Sequence, residues 1–251
     1  MLHNERIEYI LQQLQLYGVV KIGELTKMLN VSVDTVRRDL KSMEEHNFLK
    51  CIRGGACLPD SFNNMSNFSA REIVNIDLKR EIAKKALKYI KTDSVIALNA
   101  GTTNTILAQE MVSLKKHFTV VTNNLAAIAI LMQNPDITLI AVGGQVDSLE
   151  NSTYGSVCEN EFKMYCPDIA FLSLNAVDDD GFTDFRLSEI GIIKLLAKHA
   201  DKVIALMDSS KLKKHSKKKV LTAQEVDILL TDNKILTEVK QEYLKKGFKV
   251  E

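Results

Sequence analysis

Between Gly23 and Glu44 the chain reads GELTKMLNVSVDTVRRDLKSME, two apolar patterns of helical period separated by three residues. Leu25, Met28 and Leu29 form the first pattern, which closes at Asn30, a residue that accepts the left-handed backbone of a helix C-cap. Val33, Val36, Leu40 and Met43 form the second, and Ser32 stands ahead of it as an N-cap whose hydroxyl can take a free backbone N–H. Two helices joined only by Asn30-Val31-Ser32 have the tight connection of a helix-turn-helix. Upstream, residues 3–17 place Ile7, Ile10, Leu11 and Leu14 at helical spacing and stop at Gly18; the extended stretch Val19-Val20-Lys21-Ile22 follows. Downstream, FLKCI, a turn at Gly54-Gly55, and ACL read as a β-hairpin, the position of a wing.

From Pro59 to about Ser69 the composition shifts to Asp, Ser and Asn without any period, which reads as a linker. We therefore expect a reading domain over 1–58, a linker over 59–70 and a second domain over 71–251. In the latter a helix near 76–91, with Ile76, Ile82, Ala83, Ala86 and Ile90, precedes the strand-like runs SVIAL, FTVVT, ITLIAVGG, IAFLSL, KVIALM and DILLTD. Short apolar runs separated mostly by helical segments predict an α/β domain with a mostly parallel sheet covered on both faces. Ligands in such sheets collect at loops beyond the carboxyl ends of the strands.

The 33 basic and 32 acidic residues leave a net charge of +1, so a nucleic-acid site must be a local arrangement of charge. No run of about 18 apolar residues exists to span a bilayer, and MLHNERIEYI is too polar for a signal peptide, so a cytoplasmic protein without a membrane partner is expected. Cys51, Cys57, Cys158 and Cys166 show no metal-ligand spacing with each other or with the five histidines. They are read as reduced thiols, and neither a metal nor a cofactor is expected. The tract KLKKHSKKK, with six lysines from Lys211 to Lys219, reads as a solvated, self-repelling loop or as a nucleic-acid contact.

On the second helix of the helix-turn-helix, Arg37, Arg38 and Lys41 follow Asp34 and Thr35, on the element that this motif inserts into the major groove. Arginine can bond guanine edges or clamp a phosphate, while Ser32 and Thr35 can reach phosphates near the helix start. The competing reading is a solvated face pairing Arg38 with Asp34 or Lys41 with Glu45. Residues 3–58 closely resemble the DeoR-type family of bacterial winged-helix regulators. The match lies in ERIEYIL, in GELTKMLNVSVDTVRRDLKSME, and in LKCIRGGA with its Gly54-Gly55-Ala56 wing. Arg53, a wing contact by that likeness, stands where the family often has histidine, and Cys51 where arginine is common.

The loop Asn99-Ala100-Gly101-Thr102-Thr103-Asn104 follows SVIAL and opens a helix, offering backbone N–H groups, hydroxyls and the positive end of a helix dipole: a phosphate cradle, or simply an N-capping turn. Thr122-Asn123-Asn124, Gly143-Gly144, Asn175 and Asp208-Ser209-Ser210-Lys211 also lie just beyond apolar strands, as a convergent crevice requires. Residues 68–251 resemble the sensor domain of the same family, which is similar to ribose-5-phosphate isomerase and in many members responds to phosphorylated sugars. The resemblance rests on Phe68 with Arg71, Lys79 before Ile82-Ala83, AGTTN, TNN, GG, TYG, Asp168 with AFL, GFT, Glu189 and DSSK. It implies that Lys79, Gly101, Thr102 and Thr103 hold a phosphate and that Lys211 adds a cation, with Asn99, Asn104, Thr122, Asn123, Asn124, Asn175 and Glu189 completing the effector site. Asn99 stands where the family has aspartate, and FLSLNAV, containing Ser173, Asn175 and Ala176, where it has FIGADGI. An amide cannot act as a general base. The expectation is therefore a non-enzymatic, homo-oligomeric regulator that binds operator DNA and a phosphorylated small molecule and represses carbohydrate-metabolism genes. The alternatives are a regulator without an effector, and an isomerase-like enzyme using the retained Asp178 and Glu189.

Overall fold

The structure, a computed structural model, describes residues 3–46, 48–58 and 68–251. It falls into two units, Met1–Val74 and Asn75–Glu251.

In the first unit α1 (His3–Tyr17) leads through β1 (Val19–Lys21) to α2 (Ile22–Leu29) and α3 (Val33–Glu45), followed by β2 (Lys50–Ile52), β3 (Gly55–Cys57) and α4 (Phe68–Ile73). Asn30 takes the left-handed conformation at φ 51° and closes α2, and the Ser32 hydroxyl accepts the Thr35 N–H at 3.1 Å to open α3. The three strands pair antiparallel in the order β1-β3-β2. Ile10, Leu14, Leu25, Leu29, Val36, Leu40, Met43 and Leu49 pack as one core. One expectation is corrected. The wing turn lies at Arg53-Gly54, with Gly54 at φ 90°, and Gly55 already belongs to β3. A Cβ on Gly55 would fall on the Val20 carbonyl, so its small size serves close strand packing rather than the turn. At the end of the stretch expected as linker, residues 68–70 open the helix Phe68–Ile73, with Phe68 buried, too short a helix for its period to show in sequence. The expected linker residues 59–67 lie outside the described residues.

The second unit runs α5 (Ile76–Ala86), β4 (Val95–Leu98), α6 (Thr102–Met111), β5 (Phe118–Thr122), α7 (Leu125–Leu131), β6 (Ile137–Ala141), β7 (Gln145–Asp147) and β8 (Ser152–Tyr154). It continues with α8 (Ser156–Phe162), β9 (Ile169–Ser173), β10 (Ala176–Asp178), β11 (Gly181–Asp184), α9 (Ile190–His199), β12 (Val203–Leu206), β13 (Lys218–Leu221), β14 (Ile228–Leu230) and α10 (Thr237–Lys245). Six strands form a parallel sheet in the order β14-β12-β9-β4-β5-β6. Side chains alternate between its faces as the pleat demands. Ala97, Val121, Leu172 and Ala205 pack with Phe162, Ile193, Leu196 and Tyr243, whereas Ile96, Val120, Phe171 and Ile204 pack with Ile82, Ile106, Met111 and Leu131. Periodicity did not reveal the antiparallel β7–β8 pair or the sheet β10-β11-β13. The latter corrects the reading of the lysine tract as loop throughout, since Lys218 and Lys219 lie in β13 paired with β11.

None of the described helices is long and apolar enough to cross a membrane. The four cysteines are free thiols, and burial pushes the Cys158 thiol up to about 12.

What ties α1 to α3 is a buried carboxylate. Asp39 accepts Arg6 Nε at 2.6 Å and Arg6 Nη2 at 3.0 Å, with His3 Nδ1 at 3.0 Å. Arg6→Met leaves that carboxylate without its fork of donors, a loss of about 3 kcal/mol for a largely buried pair. Hydrogen exchange in α1 and α3 should then accelerate about 100-fold, while Arg6→Met combined with Asp39→Leu recovers most of the protection. Unchanged exchange in the single variant contradicts this role.

Candidate functional site

The face of α3 opposite its core side carries the residues expected to read DNA. Val36, Leu40 and Met43 are buried; Ser32, Asp34, Arg37, Arg38 and Lys41 are exposed and Thr35 is half-buried. Arg37 Nη1 lies 3.6 Å from Asp34 Oδ1, and Arg38 Nε donates to the Asp34 carbonyl at 3.4 Å. The carboxylate thus pairs with Arg37 rather than Arg38. An ion pair this exposed contributes little and can yield to phosphates. Arg53 is exposed at the wing turn. Sequence reasoning missed two supports of this surface, the Arg6–Asp39 pair and Glu44, whose Oε1 accepts the Cys51 N–H at 2.7 Å and ties β2 to α3. The available signal was Asp39 itself, an acid on the apolar stripe of α3.

In the second unit the loops after β4, β5 and β9 are joined through their side chains. Asn99 Oδ1 accepts the Ser173 N–H at 2.8 Å and Asn104 Nδ2 at 3.0 Å, and Asn99 Nδ2 donates to the Ser173 carbonyl at 3.2 Å and Glu189 Oε2 at 3.3 Å. Glu189 also accepts the Ala100 N–H at 3.1 Å and Asn123 Nδ2 at 2.8 Å. Asn104 Nδ2 further reaches the Phe171 carbonyl at 2.9 Å, and Thr122 Oγ1 donates to the Leu98 carbonyl at 2.8 Å. Asn124 caps α7 through Ala127 N–H at 3.1 Å and donates to the Gly101 carbonyl at 3.2 Å. Asn99, Thr122, Asn124 and Glu189, all expected as effector contacts, therefore hold the loops to one another.

Gly101 sits at φ 149°, and a Cβ there would lie 2.6 Å from Ser173 Cβ and 3.2 Å from Arg186 Nη1, so the residue opening α6 must be glycine. Arg186, which the sequence reading did not single out, is buried beside it. Its Nε and Nη2 donate to Asp184 at 2.9 and 2.7 Å, Nη1 to the Ala100 carbonyl at 2.6 Å and Nη2 to the Ser173 carbonyl at 2.8 Å. The signal was an Asp and an Arg two residues apart, in TDFRL at the end of β11.

Five buried side-chain atoms have no hydrogen-bond partner among the described residues, and four of them surround these loops: Thr103 Oγ1, Asn104 Oδ1, Asn123 Oδ1 and Ser152 Oγ on β8, which bridges to Asn124. Leaving a buried polar atom unpaired is costly, so such a cluster suits a polar ligand. Thr103 stands in the first turn of α6, where backbone N–H groups and the helix dipole favour an anion. Lys79 is buried on α5, and Lys211 Nζ donates to the Leu174 carbonyl at 2.9 Å. Both act on Asp208: its burial alone would raise its pKa, but Lys211, Ser210 and Lys79 hold it below the usual carboxylate range. Burial likewise opposes ionisation of Asp184, and Arg186 with Lys211 keeps it low. Asn175 is half-buried between β9 and β10. Among the described residues no group of three or more His, Cys, Asp and Glu could hold a metal ion.

Burial raises Glu189 from 4.5 to about 7, only partly offset by Arg186 and the Asn123 amide. A carboxyl raised on folding contributes stability that is full below its unfolded pKa and is lost as pH rises through the folded one. Thermal stability of the parent should therefore fall relative to Glu189→Gln between pH 4.5 and about 7 and then level, by on the order of 3 kcal/mol in all. Parallel pH profiles for the two proteins are the contrary result.

Comparison with known proteins adds family. Residues 6–62 match the DeoR-like helix-turn-helix domain and residues 74–233 the DeoR C terminal sensor domain. The chain is 35% identical to the HTH-type transcriptional regulator GolR of Listeria innocua, over 92% of this chain and 91% of that one. It is 28% identical to the glycerol-3-phosphate regulon repressor of Escherichia coli, over 92% and 89%. A ribose 5-phosphate isomerase A from Methanocaldococcus jannaschii overlaps 56% of each chain at 24% identity and a TM-score of 0.42. With both family models matched in order and a relative aligned along nearly its whole length, the chain belongs to the DeoR family of helix-turn-helix, DNA-binding transcriptional regulators.

Proposed function

We propose that this regulator is a repressor of carbohydrate-metabolism genes, binding operator DNA through α3 and the β2–β3 wing and responding to a phosphorylated small molecule in the second unit. The observation that carries the DNA reading is the capped α3, its apolar stripe buried and Arg37, Arg38 and Lys41 exposed on the other side. The relatives named as repressors of the glycerol-3-phosphate regulon and, in Escherichia coli O157:H7, of the aga operon (putative; 28% identity over 98% of this chain and 93% of that one) support the repressor and carbohydrate parts of the reading. The division into a reader at 1–58, a connection at 59–70 and a sensor at 71–251 belongs to the same proposal, with the sensor's own packing beginning at Asn75. One winged helix makes few base contacts, so operator recognition uses a homodimer or a higher homo-oligomer.

The effector reading rests on the unpartnered Thr103 hydroxyl in the first turn of α6, with Lys79, Lys211 and Arg186 supplying positive charge in the same unit. A phosphate gains charge-assisted hydrogen bonds there, and Asn104 Oδ1, Asn123 Oδ1 and Asn175 are left for a hydroxylated remainder. Glu189, held by three donors, is positioned as a brace rather than as a mobile base, and turnover of a sugar phosphate is not expected. Binding switches the regulator only if the ligand favours one arrangement of the DNA-binding heads; a coupling of about 1 to 3 kcal/mol changes operator affinity some 5- to 150-fold.

Replacing Arg37 and Arg38 with alanine should weaken binding to the DNA upstream of the regulated genes by about 1 to 3 kcal/mol for each base-reading arginine. Equal affinity of parent and double variant in the same salt overturns the assignment of α3. For the effector, calorimetry with triose, pentose and hexose phosphates should find a ligand whose affinity falls about tenfold or more in Thr103→Val and in Lys211→Ala, without loss of apo operator binding. A sugar phosphate held equally well by both variants moves the pocket elsewhere, and binding of none favours a regulator without an effector.

A further inference from the structure

The lysine tract is not a uniform solvated loop. Lys213 is committed: its Nζ lies 2.9 Å from Asp179 Oδ1 and also pairs with Glu242, and Lys246 takes the other oxygen of Asp179 at 2.5 Å. The next basic residues, Lys214, His215, Lys217, Lys218 and Lys219, are all exposed, and no side chain among them forms an ion pair or hydrogen bond with another described residue. Two nearby acids are already engaged by other cations, and Asp178, at the end of β10, accepts the Asp180 N–H at 2.9 Å. Asp179 serves Lys213 and Lys246, and Asp184, opposite Lys218 in the β11–β13 register, points its carboxylate into the fork of Arg186. Four exposed ammonium groups within six residues thus make no ion pair with a described residue, on a protein whose net charge is only +1.

The backbone beneath them is fixed. Lys213 N–H donates to Tyr243 Oη at 2.8 Å, Lys214 N–H to the Val177 carbonyl at 3.1 Å and Ser216 N–H to Thr183 Oγ1 at 2.7 Å, and Lys218 and Lys219 are held in β13. A ligand meeting this edge orders side chains only, not a loop. Lysine ammonium groups are compact point charges suited to phosphates and lack the planar fork that reads bases; here two of the four stand on β13 and two on the irregular segment that leads into it.

We propose that Lys214, Lys217, Lys218 and Lys219 form a second, sequence-independent contact of this chain with the phosphate backbone of duplex DNA. The choice of DNA among polyanions rests on the DNA-binding reading of the first unit; the surface itself does not. Once the reading helix is on a duplex, phosphates are at high effective concentration, and a few point charges then add affinity and salt dependence without adding sequence preference.

The test uses the full chain and a random-sequence duplex of about 40 base pairs, titrated from about 50 to 200 mM salt, so that no operator need be known. Changing all four lysines to glutamine should lower the slope of log K against log salt by about 3 to 4, at about 0.9 per phosphate, and weaken binding about tenfold or more at the lowest salt. The same four positions changed to arginine should restore the slope, which a damaged fold would not. An unchanged slope in the glutamine variant overturns the proposal, and if Arg37→Ala/Arg38→Ala still loses affinity, the reading of α3 survives that failure. Loss in the lysine variant with none in the arginine variant has the opposite meaning: the second contact stands and the first falls. If the glutamine variant keeps the parent's duplex slope but loses binding to single-stranded RNA or poly-glutamate, the partner is one of those and the proposal is overturned. A parent that binds no duplex at all removes both.

Discussion

The second unit is organised around one buried carboxylate. Glu189 has no access to water, and a charge in that position is tolerable only with its lone pairs filled and a countercharge near. Asn99 from the end of β4, the Ala100 N–H beside it and Asn123 from the end of β5 supply the donors, and Arg186 supplies the charge. Three separate chain segments are thereby held at fixed spacing, which places Gly101 against Ser173 and aims the first turn of α6.

The brace also explains residues that looked like defects. An aspartate at position 99 would set carboxylate against carboxylate 3.3 Å away, whereas the Asn99 amide donates to Glu189 and the Ser173 carbonyl while accepting the Ser173 N–H. Ser173, where the family has glycine, is accommodated because Gly101 has no Cβ to meet it, and Arg186 closes over the same spot through the Ala100 and Ser173 carbonyls. Asn99, Ser173, Asp184 and Arg186 make one mutually dependent set, and changing one alone leaves a buried polar group unsatisfied.

The first unit solves a smaller problem by the same means. A core of ten buried apolar residues among the described ones is modest, and the Arg6–Asp39 and Glu44–Cys51 contacts fix α1 and the wing to α3 where packing alone is thin. Orientation of the exposed Arg37, Arg38 and Lys41 follows from which side of α3 is buried, so this basic face is set by the core beneath it.

The helix-turn-helix, with its caps at Asn30 and Ser32, and the six strands of the parallel sheet were legible from sequence, because capping and apolar period are local signals. The AGTTN loop was legible for the same reason, since a polar turn between an apolar strand and a helix is written in consecutive residues. The roles of the side chains in that loop were not. Asn99, Thr122, Asn124 and Glu189 bond across 5 to 90 residues of chain, and only the folded positions of β4, β5, β9 and α9 show that they brace the loops. Arg186 and the strands β10, β11 and β13 escaped because a three- or four-residue antiparallel strand has too little period to stand out and its pairing is non-local. The same holds for the lysine tract: sequence showed the charge, but which lysines are paired and which stand free depended on Asp179, Asp184 and Glu242 arriving from elsewhere in the fold.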